Sequence, residues 1–140
     1  MVSQSEQDRA AGSAETIEET TKFSPRLDAN GLIPAIVLDA NTNDVAMFAW
    51  MNQQSIAETR RTGLAHFWSR SRKKIWCKGE ESGNRLRVRR IRTDCDQDCL
   101  LIDAEVEGDG VACHTLRQTC FYRQIEHTDS NDGVQLSFID

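Results

Sequence analysis

No stretch of this sequence approaches the ~18 consecutive apolar residues of a membrane-spanning helix, so no membrane association is expected. The N-terminal run MVSQSEQDRAAGSAETIEET lacks the basic and apolar regions of a signal peptide. The expected compartment is therefore the cytoplasm. Internal repeats are missing, which sets aside solenoid and propeller architectures. Cys113 and Cys120 are too far apart for a zinc knuckle of the CxxC type, which sets aside a zinc finger or ribbon. Acidic residues are almost missing between residues 60 and 92, where twelve Lys and Arg face only Glu80 and Glu81.

The chain has 140 residues, of which 39% are hydrophobic and 28% charged, enough for one soluble domain with a real core. The formal net charge is −5. A basic block inside an acidic protein points to a phosphorylated small ligand more than to nucleic acid. The plainer reading is a solvated surface that balances its acidic neighbours. The five cysteines are an odd number. In a reducing compartment they read as metal ligands or buried apolar residues rather than disulfides.

The densest chemistry lies in Asp94-Cys95-Asp96-Gln97-Asp98-Cys99, where five of six residues can bind a metal. Hard carboxylates suit Mg²⁺ or Ca²⁺, and soft thiolates suit Zn²⁺. In an extended backbone Asp94, Asp96 and Asp98 would share one face and Cys95 would take the other. Three carboxylates packed without a cation repel one another. An EF-hand loop is set aside, because its sixth position requires Gly and here holds Cys99, and the following residues alternate like a strand.

Around this stretch the pattern predicts an α+β fold, a mostly antiparallel sheet with one main helix. Residues 1–24 read as a flexible acidic tail, 25–126 as the folded domain and 127–140 as a polar C-terminal tail. Leu32–Asp39 and Val45–Trp50 form a predicted hairpin across the turn residues 39–44. Asn52 caps a helix over Gln53–Thr62, closed by Gly63. Further strands are predicted at Leu64–Trp68, Ile75–Cys77, Leu86–Arg92, Leu100–Glu107 and Thr119–Ile125. Leu86 and Val88 share a parity that Ile91 does not, which points to a bulge or a change of twist.

Catalytic zinc takes three protein ligands and leaves one position open, so Cys95, Cys113 and Cys120 form a candidate set. Cys99 as a fourth ligand would make a purely structural site, and buried unligated thiols are the remaining alternative. His114, beside Cys113, reads as a ligand, a general base or a hydrogen-bonded structural residue. Trp68-Ser69-Arg70-Ser71-Arg72 and Lys78-Gly79-Glu80-Glu81-Ser82-Gly83-Asn84 carry the parts of a phosphate and base site. Arginines fork onto phosphate, glycines allow close backbone approach, and Trp68 or Trp76 can stack on a purine.

FWSRSRKKIW, KGEESGN, DCDQDCLL and ACHTLRQTCFY, in this order and spacing, resemble the phosphoribosyl-AMP cyclohydrolases of histidine biosynthesis. The resemblance runs from about Leu32 to Gln124. It implies hydrolytic opening of the N1–C6 bond of N1-(5-phosphoribosyl)-AMP, on an intertwined, β-grasp-like homodimer. It implies zinc at the subunit interface, held by Cys95 of one copy with Cys113 and Cys120 of the other, and Mg²⁺ on Asp94, Asp96 and Asp98. His114 is the implied proton carrier. Trp68, Ser69, Arg70, Ser71, Arg72, Lys78, Gly79, Glu80, Ser82, Gly83 and Asn84 are the implied substrate contacts. The sequence departs from the family pattern at Cys77, commonly histidine, at Glu81, commonly a small hydroxyl residue, and at Leu116, commonly glycine.

Overall fold

The computed structural model describes residues 16–127 and 133–139. Two apolar runs, β1 (Ile33–Asp39) and β2 (Val45–Met51), pair antiparallel across a turn that folds back on Asp39. The Asp39 carboxylate accepts the Asn41 N–H at 2.8 Å, and its carbonyl accepts the Asn43 N–H at 2.7 Å. Helix α1 (Gln53–Thr62) begins at a reciprocal cap. Asn52 Oδ1 accepts the Ser55 N–H and Ser55 Oγ accepts the Asn52 N–H, each at 2.8 Å, an arrangement worth about 1 kcal/mol. The helix ends at Gly63, whose N–H reaches Thr59 O at 2.8 Å from a left-handed backbone. Ser55, Ile56 and Thr59 form its buried face.

After the helix come β3 (His66–Ser69), β4 (Lys74–Cys77), β5 (Leu86–Thr93) and β6 (Leu100–Val106). The six strands form one sheet in the order β4-β3-β2-β1-β6-β5. Only the β1–β6 pair is parallel, so the α+β expectation of a mostly antiparallel sheet with one helix holds among the described residues. Ile33, Val37, Met51, Phe67, Leu100 and Ile102 are fully buried between sheet and helix. Each such side chain contributes about 1.5–3 kcal/mol.

The parity break in β5 is a bulge. Its register against β6 skips Arg89 between Val88 and Arg90, which turns Ile91 to the same inward side as Leu86 and Val88. The bulge also aligns the basic strand with an acidic one. Arg87 pairs with Glu107, Arg89 with Glu105, and Arg90 and Arg92 with Asp103. Those guanidiniums hold the Asp103 and Glu105 carboxyls below the usual range, against the opposing effect of desolvation.

Two segments differ from expectation. Residues 94–99 are a tight turn rather than extended chain. The predicted strand Thr119–Ile125 shortens to β7 (Arg123–Ile125). The residues before it are engaged elsewhere: Thr119 Oγ1 donates to Val45 O at 2.6 Å and the Cys120 N–H to Ala46 O at 2.8 Å. β7 pairs only with β8 (Leu136–Phe138), which lies in the segment read as a polar tail. Most of the acidic tail expected over residues 1–24 falls outside the described residues, and so do 128–132 and 140. Among the described residues no helix is long and apolar enough to cross a membrane.

Leu116 adopts φ 68° with its side chain 75% exposed. A left-handed backbone costs an L-residue roughly 1–2 kcal/mol, while glycine adds about 0.4–1 kcal/mol of unfolded-state entropy. Leu116→Gly is therefore expected to stabilise the fold by about 0.5–1 kcal/mol in denaturant unfolding. A destabilised variant would show that the exposed leucine packs against something this chain alone does not contain.

Candidate active site

The turn after β5 gathers the aspartates. The Asp94 N–H donates to Cys99 O at 3.2 Å, and Asp94 Oδ1 accepts the N–H groups of Asp98 at 2.9 Å and Cys99 at 3.0 Å. Gln97 takes a left-handed φ of 57°. The result places one carboxylate oxygen from each of Asp94, Asp96 and Asp98 within 4.8 Å of the others. The shared face expected from strand alternation is thus built by a turn. Hydrogen bonds with Asp94 and Asp96, then desolvation, push the Asp98 carboxyl up to about 6. Asp94 shifts down: desolvation opposes this, but the bonds from Asp98, Asp96 and the backbone amides outweigh it. Carboxylates held this close suit a hard divalent cation.

Gln97, in the middle of the turn, is 4% exposed. Its Oε1 accepts the Ser24 N–H at 2.7 Å, its Nε2 donates to Lys22 O at 3.3 Å, and its carbonyl accepts the Arg26 N–H at 2.7 Å. It ties the N-terminal segment to the acidic turn. Sequence reasoning passed over it, and the only signal was an amide among five potential ligands.

The thiols divide. Cys113 is buried and Cys120 lies within hydrogen-bonding reach of it. Burial raises the Cys113 thiol, but the Thr115 hydroxyl at 3.0 Å and amide at 3.5 Å, then Cys120 and the Lys78 charge, bring it below its ordinary value. Desolvation, then Cys113, pushes Cys120 up to about 11. Lys78, expected among the substrate contacts, thus stands close enough to favour both thiolates. Cys95 is exposed and does not join the pair: among the described residues the three aspartates are the only group of three potential ligands this close. Cys99 does not join it either. Its thiol donates to Leu100 O at 3.8 Å, and burial, then Asp94 and Asp98, raise its pKa. His114 is exposed and makes no side-chain hydrogen bond or ion pair among the described residues.

The remaining residues line open space between strands. Trp68, Ser69, Ser71 and Arg72 share a cavity of about 260 Å³ with Trp50 and Trp76. Trp50 pairs across the sheet with Trp68, and the Arg70 guanidinium sits 5.0 Å from its ring centre. Trp50 also lines an adjoining cavity of about 350 Å³ with Asp98 and Arg26. This tryptophan, not expected in the site, therefore joins the arginine-serine loop to the acidic turn. The loop itself is stapled by Ser69 Oγ, which accepts the Arg72 N–H at 3.1 Å.

The loop Lys78–Asn84, with Glu80 and Ser82 in its middle, closes on itself through Gly83 N–H to Gly79 O at 2.8 Å. A Cβ on Gly79 would lie 2.3 Å from the Asn84 backbone, so no larger residue fits. Asn84 is buried, and its Oδ1 accepts the Asp109 N–H at 2.8 Å. That hydrogen bond holds the loop in place. Cys77 faces His66 across β3 and β4, and desolvation raises its thiol although Arg85 works the other way.

A family model described as phosphoribosyl-AMP cyclohydrolase matches residues 47–122. A protein of that name from Brucella canis is 53% identical over 123 residues, 88% of this chain and 87% of its own. Another from Brucella abortus is 54% identical over 109 residues, 78% of each chain. A third from Chelativorans is 51% identical over 113 residues, 81% of each. The chain belongs to the phosphoribosyl-AMP cyclohydrolase family.

Every candidate site residue, from Trp68 to Cys120, falls inside the segment that the cyclohydrolase model matches. The arginine-rich β5 lies there too. There Arg87, Arg89, Arg90 and Arg92 are paired with the acids of β6.

A carboxyl whose pKa is raised by folding stabilises the fold below its unfolded value, and loses that contribution as pH rises through the folded one. For Asp98 that folded value is about 6. In metal-free protein, Asp98→Asn should therefore gain stability relative to the parent between about pH 4 and about pH 7, read as a widening difference in Tm. Saturating Mg²⁺ should shrink the gain. A difference independent of pH would show that the three carboxylates do not interact.

Proposed function

We propose that this chain hydrolyses the N1–C6 bond of N1-(5-phosphoribosyl)-AMP, giving the formimino-aminoimidazole-carboxamide ribotide in histidine biosynthesis. Membership of the cyclohydrolase family, with every candidate site residue inside the matched segment, carries the reading. The working unit is a homodimer, intertwined and β-grasp-like, in the reducing cytoplasm that five free thiols favour. Cys113 and Cys120 of one copy would hold zinc with Cys95 of the other. Asp94, Asp96 and Asp98 would hold Mg²⁺.

Zinc, when bound, supplies a water acidified from a pKa of about 16 toward about 7, and Mg²⁺ supplies open positions for a substrate phosphate. The protein's residues do the rest. Lys78 offsets part of the negative charge that three thiolates bring, which would otherwise work against acidifying water. The tryptophan-lined cavity takes the adenine by stacking, with Trp50 and Trp68 as walls. Arg70 and Arg72 fork onto phosphate at its rim. Alkylation at N1 leaves C6 of the substrate electron-poor, so C6 accepts the nucleophile. His114, whose ring has no protein partner among the described residues, would pass on the attacking water's two protons, one to N1 as the N1–C6 bond breaks and one to the exocyclic nitrogen as C6 becomes the carboxamide carbon.

Ring opening followed by ultraviolet absorbance tests the reading. Turnover should vanish with chelator and return only when both Zn²⁺ and Mg²⁺ are restored. Cys120→Ala should lose zinc and turnover together. A Cys120→Ala protein that kept both would overturn the zinc assignment, and full metal occupancy without turnover would overturn the activity.

A further inference from the structure

The family match ends at Tyr122, and the ribbon β7–β8 begins at the next residue. The ribbon stands apart from the six-stranded sheet and pairs only with itself. Two-stranded ribbons are marginal in water unless a face is covered. This one is two-faced. Gln124 and Ser137 oppose each other and hydrogen-bond at 3.2 Å, forming a polar side. Ile125 opposes Leu136, and Phe138 opposes Arg123, on the other side. Ile125 is 68% exposed and Phe138 63% exposed. Of the ten exposed large apolar side chains among the described residues, six lie between Phe121 and Ile139, so the apolar surface is concentrated here rather than scattered. Alternation of this kind belongs to a strand pair with one buried face, yet among the described residues only Tyr122 and Arg117 lie against it, at Phe138, and Ile125 and Leu136 stay exposed.

One feature of the fold names the occupant. Cys120, three residues before β7, sits with Cys113 in a pair that finds no third ligand among the described residues. The partner that supplies it must approach the chain at the root of the ribbon. The ribbon root is itself braced: Arg117 lies 4.0 Å from the centre of the Tyr122 ring, and Tyr122 stacks on Phe138 at 6.2 Å between centroids. A braced, amphipathic arm leaving directly from a half-built ligand set is placed to reach across to the chain that completes it.

We infer that the β7–β8 ribbon is a dimerisation arm, whose Ile125–Leu136–Phe138 face packs on a second copy of this chain. The inference rests on the shared-site homodimer proposed above. The test is sedimentation equilibrium on the full-length zinc-loaded protein and on full-length variants. Ile125→Glu with Leu136→Glu should weaken dimerisation at least tenfold. At concentrations that restore the dimer, ring opening should return to the parent's level. Gln124→Lys, on the polar face of the same ribbon, should leave the dimer constant unchanged. Apolar-face variants that dimerise like the parent would overturn the arm while leaving the homodimer intact. So would equal weakening by Gln124→Lys. A parent protein that binds zinc as a monomer would overturn the homodimer itself, and the arm with it.

Discussion

The carboxylate of Asp94 is the point on which the site is hung. By accepting the Asp98 and Cys99 amides it closes a six-residue turn. That closure has three consequences. It brings three acidic side chains into one cluster, at a cost visible in the raised Asp98 carboxyl. It leaves Cys95 exposed and outside any close group of three potential ligands among the described residues. And it starts β6 at Leu100, a fully buried residue of the core, so the turn is anchored by the strand it feeds. Gln97 then binds the N-terminal segment over the turn through four backbone groups.

Electrostatics are arranged around two different needs. On β5 and β6 opposite charges are matched across strands, which balances the basic strand within the sheet. In the site like groups are brought together instead. Three carboxylates crowd at the turn, and two thiols meet at Cys113 and Cys120 with Lys78 as the nearby compensating charge. Grouping carboxylates is unfavourable without a compensating charge, and the proposed Mg²⁺ and zinc would supply it. The tryptophans between these clusters complete the arrangement. Trp50 faces the acidic turn on one side and the arginine-serine loop on the other.

Much of this was legible in the residues. The helix, its cap at Asn52 and its stop at Gly63 follow from local rules that tertiary context does not override. The bulge in β5 was visible as a parity conflict among Leu86, Val88 and Ile91. The acidic cluster was foreseen for the wrong geometric reason, since side-chain alternation and a tight turn both collect residues two apart. What was hidden depends on partners distant in sequence. Trp50 enters the site because β2 pairs with β3. The strand expected at Thr119 begins late because Thr119 and Cys120 bond the start of β2. The β7–β8 ribbon needs Leu136–Phe138, a run too short to stand out in a polar segment. The buried Asn84 carbonyl, which accepts the Asp109 N–H, depends on a residue 25 positions away.

The central claim is that one chain holds only part of the zinc site, and subunit complementation tests it most directly. Cys95→Ala and Cys120→Ala proteins are each expected to be inactive alone, because every dimer of either kind lacks a ligand at both sites. Mixed and allowed to exchange at random, roughly half the dimers would be hybrids with one complete site of two, so activity should return to about a quarter of the parent's. Mixtures with subunit exchange verified by native mass spectrometry that stay inactive would contradict a shared site.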